Sequence, residues 1–294
     1  MISLKSTILL TGANGFLGSN LLKVFLEDFE IIVLKRSNSN LDRIKPFLSA
    51  IKCYDIDNVS ISIVFKNHKI DYIVHTACNY GRNNDSITEI VNSNLIFGLK
   101  ILELAIVSEV KAFINTDTFL PREINAYSLS KKNMLDWLIK FKDKIKVVNV
   151  KLEHMYGPND SEEKFITWLI NQFKQKVQEI KLTSGTQKRD FIYIDDVTSA
   201  YLYILKSIHK LPNYSEFELG TGKSIAVKTL VENIKQEFEK QKGPIKTILN
   251  FGAVEYRKGE IMEFNVNNNS LRALGWEPKI ALRNGLEIIL KDNI

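Results

Sequence analysis

The stretch Thr11-Gly12-Ala13-Asn14-Gly15-Phe16-Leu17-Gly18 constrains this chain more than any other. Before it, Thr7-Ile8-Leu9-Leu10 reads as a short buried strand. After it, Leu21, Leu22, Phe25 and Leu26 recur at helical spacing. Strand, glycine turn and helix in that order form the first half of a dinucleotide-binding unit. Gly12 allows the tight turn, Gly15 lets backbone approach a pyrophosphate, and Gly18 lets the helix pack close to the strand. Asn14, Phe16 and Leu17 belong to the same cradle. The helix start they lead into presents free N–H groups and a positive dipole end to phosphate.

The next segments repeat the unit. Ile31-Ile32-Val33-Leu34 is a second strand, ending at Lys35-Arg36-Ser37. An acidic residue there holds the ribose 2′-hydroxyl of NAD, whereas a basic one accommodates the 2′-phosphate of NADP. Arg36 points to NADP. A third strand over 51–54 brings Asp55 and Ile56 to the adenine. A fourth over 72–77 ends in Thr76 and Ala77, small enough for the chain to pass beneath a cofactor. The pattern then predicts a helix over 87–107 with Asn94 inside it. A fifth strand over 112–115 leads to Thr116-Asp117-Thr118, a helix runs from Tyr127 through Trp137, and a sixth strand covers 147–150.

Strands alternating with helices imply a parallel sheet covered on both faces. The expected fold class is α/β, a Rossmann-type doubly wound sheet whose ligands bind at the carboxyl ends of the strands. Beyond Gly157 the strict alternation fails. Residues 1–156 with about 191–210 are expected to form the dinucleotide domain, and about 157–190 with 211–294 a smaller C-terminal substrate-binding lobe.

Charge and cysteine content narrow the partners. The net charge is +6, yet no arginine-rich tract or aromatic–basic alternation suggests nucleic acid; anionic ligands suit the same excess. Cys53 and Cys78 are too few for a disulfide framework and read as free thiols in a reducing compartment. No run of eighteen apolar residues suggests a membrane span. The N-terminus enters the glycine turn directly, leaving no room for a cleavable signal. The cytoplasm is the expected location. No metal-ligand spacing is present.

Tyr127 and Lys131 lie four apart, on one helical face. A tyrosine beside an ammonium and above a nicotinamide is a proton-transfer device, its pKa lowered by both positive charges. Thr116 is placed to hold a substrate oxygen beside it.

With these residues assembled, the sequence resembles the extended short-chain dehydrogenase/reductase family, which works on nucleotide-linked sugars. TGANGFLG, HTA, YSLSK, MYGP, GTQKRDFIYIDD and LGWEP match family blocks in order, over nearly the whole chain. LEHMYGPND, EEKF, FGAVEYRKGEIM and NNNSLRALGW look like the CDP-abequose and CDP-paratose synthase group, NADPH-dependent reductases of a CDP-4-keto-3,6-dideoxyhexose that supply surface polysaccharide. The resemblance implies a catalytic triad of Thr116, Tyr127 and Lys131, with Asp117 fixing the sugar. It implies substrate contacts at Tyr80, Thr118, His154, Lys164, Arg189 and Arg257, and a homodimer. His154 stands where many relatives have asparagine. Two features depart from the pattern: only eleven positions separate Thr116 from Tyr127, so the loop over the sugar is trimmed, and Lys151 replaces a common arginine.

Four functions compete. A 4,6-dehydratase needs a glutamate where Thr118 stands. A 4-epimerase with bound NAD is disfavoured by Arg36. A reductase of the GDP-fucose type needs a cysteine where Asp117 stands. A non-catalytic cofactor-sensing member would have lost Tyr127. The expectation is a nucleotide-sugar 4-ketoreductase using NADPH.

Overall fold

The structure is a computed structural model that describes residues 5–82, 84–257 and 259–292. In chain order the elements are β1 (Thr7–Thr11), α1 (Phe16–Phe25), β2 (Glu30–Lys35), β3 (Lys52–Asp55), α2 (Ile61–Asn67), β4 (Tyr72–His75), α3 (Ile87–Val91), α4 (Phe97–Val107), β5 (Ala112–Thr118), α5 (Ala126–Lys140) and β6 (Lys146–Leu152). There follow β7 (His154–Tyr156), α6 (Phe165–Lys174), β8 (Glu179–Leu182), β9 (Lys188–Tyr193), α7 (Ile194–Ser207), β10 (Tyr214–Leu219), β11 (Ser224–Ala226), α8 (Val227–Lys242), β12 (Ile248–Phe251), α9 (Asn269–Ala273) and α10 (Leu282–Asp292).

The chain divides into two compact units, Met1–Leu152 with Thr198–Phe217, and Glu153–Val197 with Glu218–Ile294. The first is built on a seven-stranded sheet in the order β3-β2-β1-β4-β5-β6-β10. Strands β1 to β6 pair in parallel. Both faces are covered, which is why Ile8–Leu10 and Ile31–Leu34 are continuous buried runs with no polar alternation. The strand order reverses between β1 and β4, the switch point where a crevice opens at the carboxyl ends of such sheets.

The expected single helix over 87–107 is interrupted. A capping box at Ser86 and Glu89 starts α3. A turn of π-helix, Asn92–Ile96, then precedes α4. A π-turn widens the backbone and re-aims one side chain, commonly at functional sites; here it carries the buried Asn94. Among the described residues, 87–107 is the one helical stretch long and apolar enough to cross a membrane. Its Ile101, Leu102 and Ala105 are packed into the core of the sheet.

Strand β5 continues three residues past the expected 112–115, so Thr116, Asp117 and Thr118 lie within the ladder opposite β6. Their side chains therefore obey strand alternation, with consequences for the site.

The second unit carries two small sheets, β11-β9-β7 and β12-β8. Its LGWEP run is pinned by Asp196. The Trp276 indole donates to the Asp196 carbonyl at 3.2 Å, and the carboxylate accepts from the Lys279 and Ile280 N–H groups, each at 2.9 Å. Asp190, fully buried, accepts from Thr221 Oγ1 at 2.6 Å and from the Gly222 N–H at 2.7 Å. Burial raises the Asp190 pKa, and these donors offset part of that rise.

Candidate active site

The glycine turn and the start of α1 form one end of the site. A β-carbon added to Gly18 would stand 2.1 Å from the Gly12 carbonyl oxygen, so only glycine lets α1 come this close to the turn. At Gly12 (φ +70°) it would meet the Ala77 nitrogen at 2.7 Å and Thr76 Oγ1 at 2.8 Å. Helix α1 begins at Gly15 with no side-chain cap and no acidic residue in its first turn, so its leading N–H groups face an anion site directly. The side chains of Phe16 and Leu17 are buried in the core. Within the cradle these two residues have backbone alone to offer. The arrangement fits a dinucleotide pyrophosphate.

Under the turn lies a neutral polar cluster. Thr11 Oγ1 and His75 Nδ1 are 2.9 Å apart, and Thr76 Oγ1 donates to the Thr11 carbonyl at 2.8 Å. Burial, then the charge of Lys131, push the His75 imidazole down to about 3, so it is neutral at physiological pH.

At the end of β2, Lys35 and Asp55 form an ion pair at 2.7 Å, and Ser37 Oγ donates to the same carboxylate at 2.9 Å. The Lys35 bond is the main cause holding the Asp55 carboxyl below its usual range. The Ile56 N–H is bonded to the Lys35 carbonyl at 2.9 Å. Arg36 is exposed, and its guanidinium has no partner among the described residues. Thus the free charge at this strand end is a cation, and the carboxylate is already engaged.

Helix α5 opens with a reciprocal capping box between Asn125 and Ser128, which sets Tyr127 in its first turn and Lys131 one turn later. Lys131 is 2% exposed, and burial lowers its pKa. Burial pushes the Tyr127 phenol well above its ordinary value; Cys78 and Asp117 add to the rise, while Thr118 and Arg82 pull the other way. The direction is opposite to the lowering expected from a nearby ammonium, because desolvation is the largest cause. Tyr127 is kept protonated.

Alternation along β5 sorts three neighbouring residues differently from expectation. Thr116 Oγ1 is bound to the buried Tyr201 hydroxyl of α7 at 2.6 Å. The hydroxyl beside the Tyr127 phenol is that of Thr118, which accepts from the Leu120 N–H at 3.2 Å and pulls the phenol's pKa downward. Asp117 points to the opposite face, where it pairs with Lys132 at 2.8 Å and accepts from Asn149 Nδ2 at 3.2 Å. Its side chain has no exposed surface. The expectation that Asp117 steadies the sugar is corrected: its carboxylate anchors α5 to the sheet. Asn149 also donates to Glu216, which Lys151 grips in a further ion pair.

Tyr80 leans over Tyr127, ring centroids 5.0 Å apart. Cys78, beside both phenols and expected only to be a free thiol, and Arg82, which the sequence did not single out, belong to this same corner just after the HTA strand end.

In the second unit, Arg189 is 9% exposed. It forms an ion pair with Glu260 and donates to the Lys188 and Ile261 carbonyls, each at 2.7 Å. It is not the free cation expected for a diphosphate. Arg257 is exposed, and Lys164 stands at the N-cap position of α6, with no capping bond from its side chain. His154 Nδ1 is 2.7 Å from the buried Glu153 carboxylate, and its ring tilts against Phe191.

Comparison with known proteins fixes the family. Residues 8–220 match the NAD dependent epimerase/dehydratase family. The chain belongs to that family. Members similar over nearly their full length include CDP-abequose synthase of Salmonella typhimurium, 33% identical with 99% of each chain covered. The enzyme of that name from Salmonella muenchen is 35% identical over 99% of each chain. Among solved structures, UDP-glucose 4-epimerase of Thermotoga maritima with UDP-glucose superposes with a TM-score of 0.84 at 22% identity, covering 98% of both chains. UDP-glucuronic acid 4-epimerase of Bacillus cereus, in complex with UDP-glucuronic acid and NAD, also gives 0.84, at 21% identity over 97% of this chain and 98% of that one. At those identities the likeness is one of fold.

Proposed function

We propose that this family member is an NADPH-dependent reductase of the 4-keto group of a nucleotide-activated deoxysugar, with a CDP-4-keto-3,6-dideoxyhexose as substrate. The observation that carries the reading is the neighbour of Tyr127. Thr118 supplies a hydroxyl, which holds a carbonyl oxygen by hydrogen bonding. It has no basic group to take the carbon-bound proton that dehydration requires. The near full-length similarity to CDP-abequose synthases supports the sugar class.

The cofactor, when bound, supplies the hydride. Tyr127, kept protonated by its burial, donates its proton to the ketone oxygen, and Thr118 aligns that oxygen. Lys131, buried one turn away, holds the nicotinamide ribose. The anion cradle at Gly12, Gly15 and Gly18 binds pyrophosphate, and Arg36 takes the 2′-phosphate. Arg257 and His154, both exposed, are the residues that the family resemblance assigns to the substrate diphosphate. A second reading, a 4-epimerase with retained NAD, is the other chemistry after which the matched family is named.

Purified protein incubated in deuterated water with CDP-4-keto-3,6-dideoxyglucose and NADPH, and separately with CDP-glucose and no added cofactor, separates the two. Under the reductase reading NADPH is consumed stoichiometrically, no deuterium enters at carbon 5, and Tyr127→Phe loses about 10²–10⁴-fold in kcat. Arg36→Asp weakens NADPH by roughly 1.5–3 kcal/mol while sparing NADH. Turnover without added NADPH, or equal affinity for the two cofactors, sinks the reading.

A further inference from the structure

The loop after β4 is held in one shape by a chain of buried contacts. Asn94, presented by the π-turn and fully buried, accepts from the Asn79 N–H at 2.6 Å and donates to the Asn79 carbonyl at 2.9 Å. It also donates to Ser130 Oγ at 2.9 Å, and that hydroxyl donates to the Tyr127 carbonyl at 2.8 Å. The Asn79 side chain in turn accepts from the Gly81 N–H at 2.8 Å. Gly81 adopts φ +68°, a left-handed conformation that a side chain would strain, and a β-carbon there would stand 2.7 Å from Ile90 Cδ1. These contacts reverse the chain so that Tyr80 lies on Tyr127, the rings tilted by 37°, and the Arg82 guanidinium lies 5.1 Å from the centre of the Tyr80 ring.

Arg82 and Tyr80 are both exposed, yet a cation over one face of an aromatic ring, with a second ring on another side of it, forms a defined stack. Its last member is the phenol to which the reaction assigns the proton. We propose that Arg82 is a positioning residue which, acting through Tyr80, clamps the Tyr127 ring and brings a fixed positive charge to the phenol as it gives up its proton. The inference rests on the reductase reading for the direction of that transfer. The Tyr127 Oη–H bond breaks, its proton goes to the ketone oxygen as hydride reaches the carbon, and the phenolate left behind recovers a proton from water. During that interval the groups around it are Cys78, Tyr80, Thr118, Arg82, and Asp117, whose charge is taken up by Lys132, with Lys131 one helical turn further along α5. Arg82 is thus a cation on the loop side of the ring, complementing Lys131 on the helix side.

The test uses Arg82→Met, which keeps the length and removes the charge, beside Arg82→Lys. A fluorinated tyrosine placed at Tyr127 reports ionisation through its fluorine resonance without any substrate. Arg82→Met should move the titration midpoint upward by about 0.5 pH unit or more, and Arg82→Lys should restore most of the shift. With CDP-4-keto-3,6-dideoxyglucose and NADPH, Arg82→Met should lower kcat about tenfold with KM within about twofold, the pattern of lost transition-state stabilisation. Asn94→Ser, which frees the loop while keeping Arg82, should move the resonance in the same direction. An unmoved midpoint in Arg82→Met overturns the proposal, as does a large rise in KM at unchanged kcat, which would make Arg82 a direct substrate contact. Should the native protein turn over no keto sugar, the reductase reading fails, and the fluorine titration still decides the role of Arg82.

Discussion

Two buried polar clusters lie along the carboxyl edge of the large sheet, and they are built on opposite principles. The cluster of Thr11, His75 and Thr76, beneath the glycine turn, carries no charge: its histidine is neutral and its bonds run between hydroxyls, imidazole and backbone. The cluster on β5 and β6 is ionic, with Asp117 paired to Lys132, Glu216 to Lys151, and Asn149 linking the two carboxylates. The first supports the turn proposed to approach a pyrophosphate with backbone alone, where a fixed negative charge would repel the ligand. The second fixes the start of α5, where Tyr127 and Lys131 must be held in register. Neutral groups allow close approach, and a buried ion pair gives position more than net stability.

Breaking the ionic cluster should cost most. Asp117→Asn leaves Lys132, with a side chain only 15% exposed, without its counter-charge. Urea unfolding should show a loss of about 3–5 kcal/mol, of which the added change Lys132→Met recovers a large part. A loss below about 1 kcal/mol would mean that α5 is anchored by something else.

The neutral cluster should fail in acid instead. The His75 pKa is about 3 in the folded state and near 6.5 unfolded, so the unfolded chain binds the extra proton between those values. Stability due to this group is complete above pH 6.5 and falls as the pH drops towards 3, with a limiting slope of about 1.4 kcal/mol per unit. His68, whose pKa burial also lowers, adds in the same direction. Measured between pH 6.5 and 5, above the carboxylate range, His75→Gln should flatten the slope by roughly one proton, whatever its stability at neutral pH. An unchanged slope would place the acid sensitivity outside the cluster.

The smallest effect separates the two hydroxyls of β5. Thr118→Val should lower kcat about tenfold, since it removes the hydroxyl beside the phenol proposed to react, with a stability cost of about 1 kcal/mol from the lost Leu120 N–H bond. Thr116→Val should cost a similar amount through the lost Tyr201 bond while sparing kcat. The opposite pattern would return Thr116 to the catalytic role that the family resemblance implies.

What the sequence determined by itself is whatever depends on backbone and on spacing within one element. The glycine turn, the parallel α/β order and the Tyr127–Lys131 pair are all local, since a glycine three residues from another or a side chain one helical turn from another needs no distant partner to be recognised. Only the tertiary structure decided which charged and hydroxyl side chains are free. Arg36 and Arg189 are the same residue type and were expected to serve alike, yet one is exposed and the other is held by Glu260, seventy-one positions away. Thr116, Asp117 and Thr118 are consecutive, but strand alternation gives Thr116 the Tyr201 hydroxyl, Asp117 the Lys132 ammonium and Thr118 the Leu120 N–H. Such pairings are long-range, and burial sets their strength by removing the water that would otherwise compete for each charge and hydrogen bond.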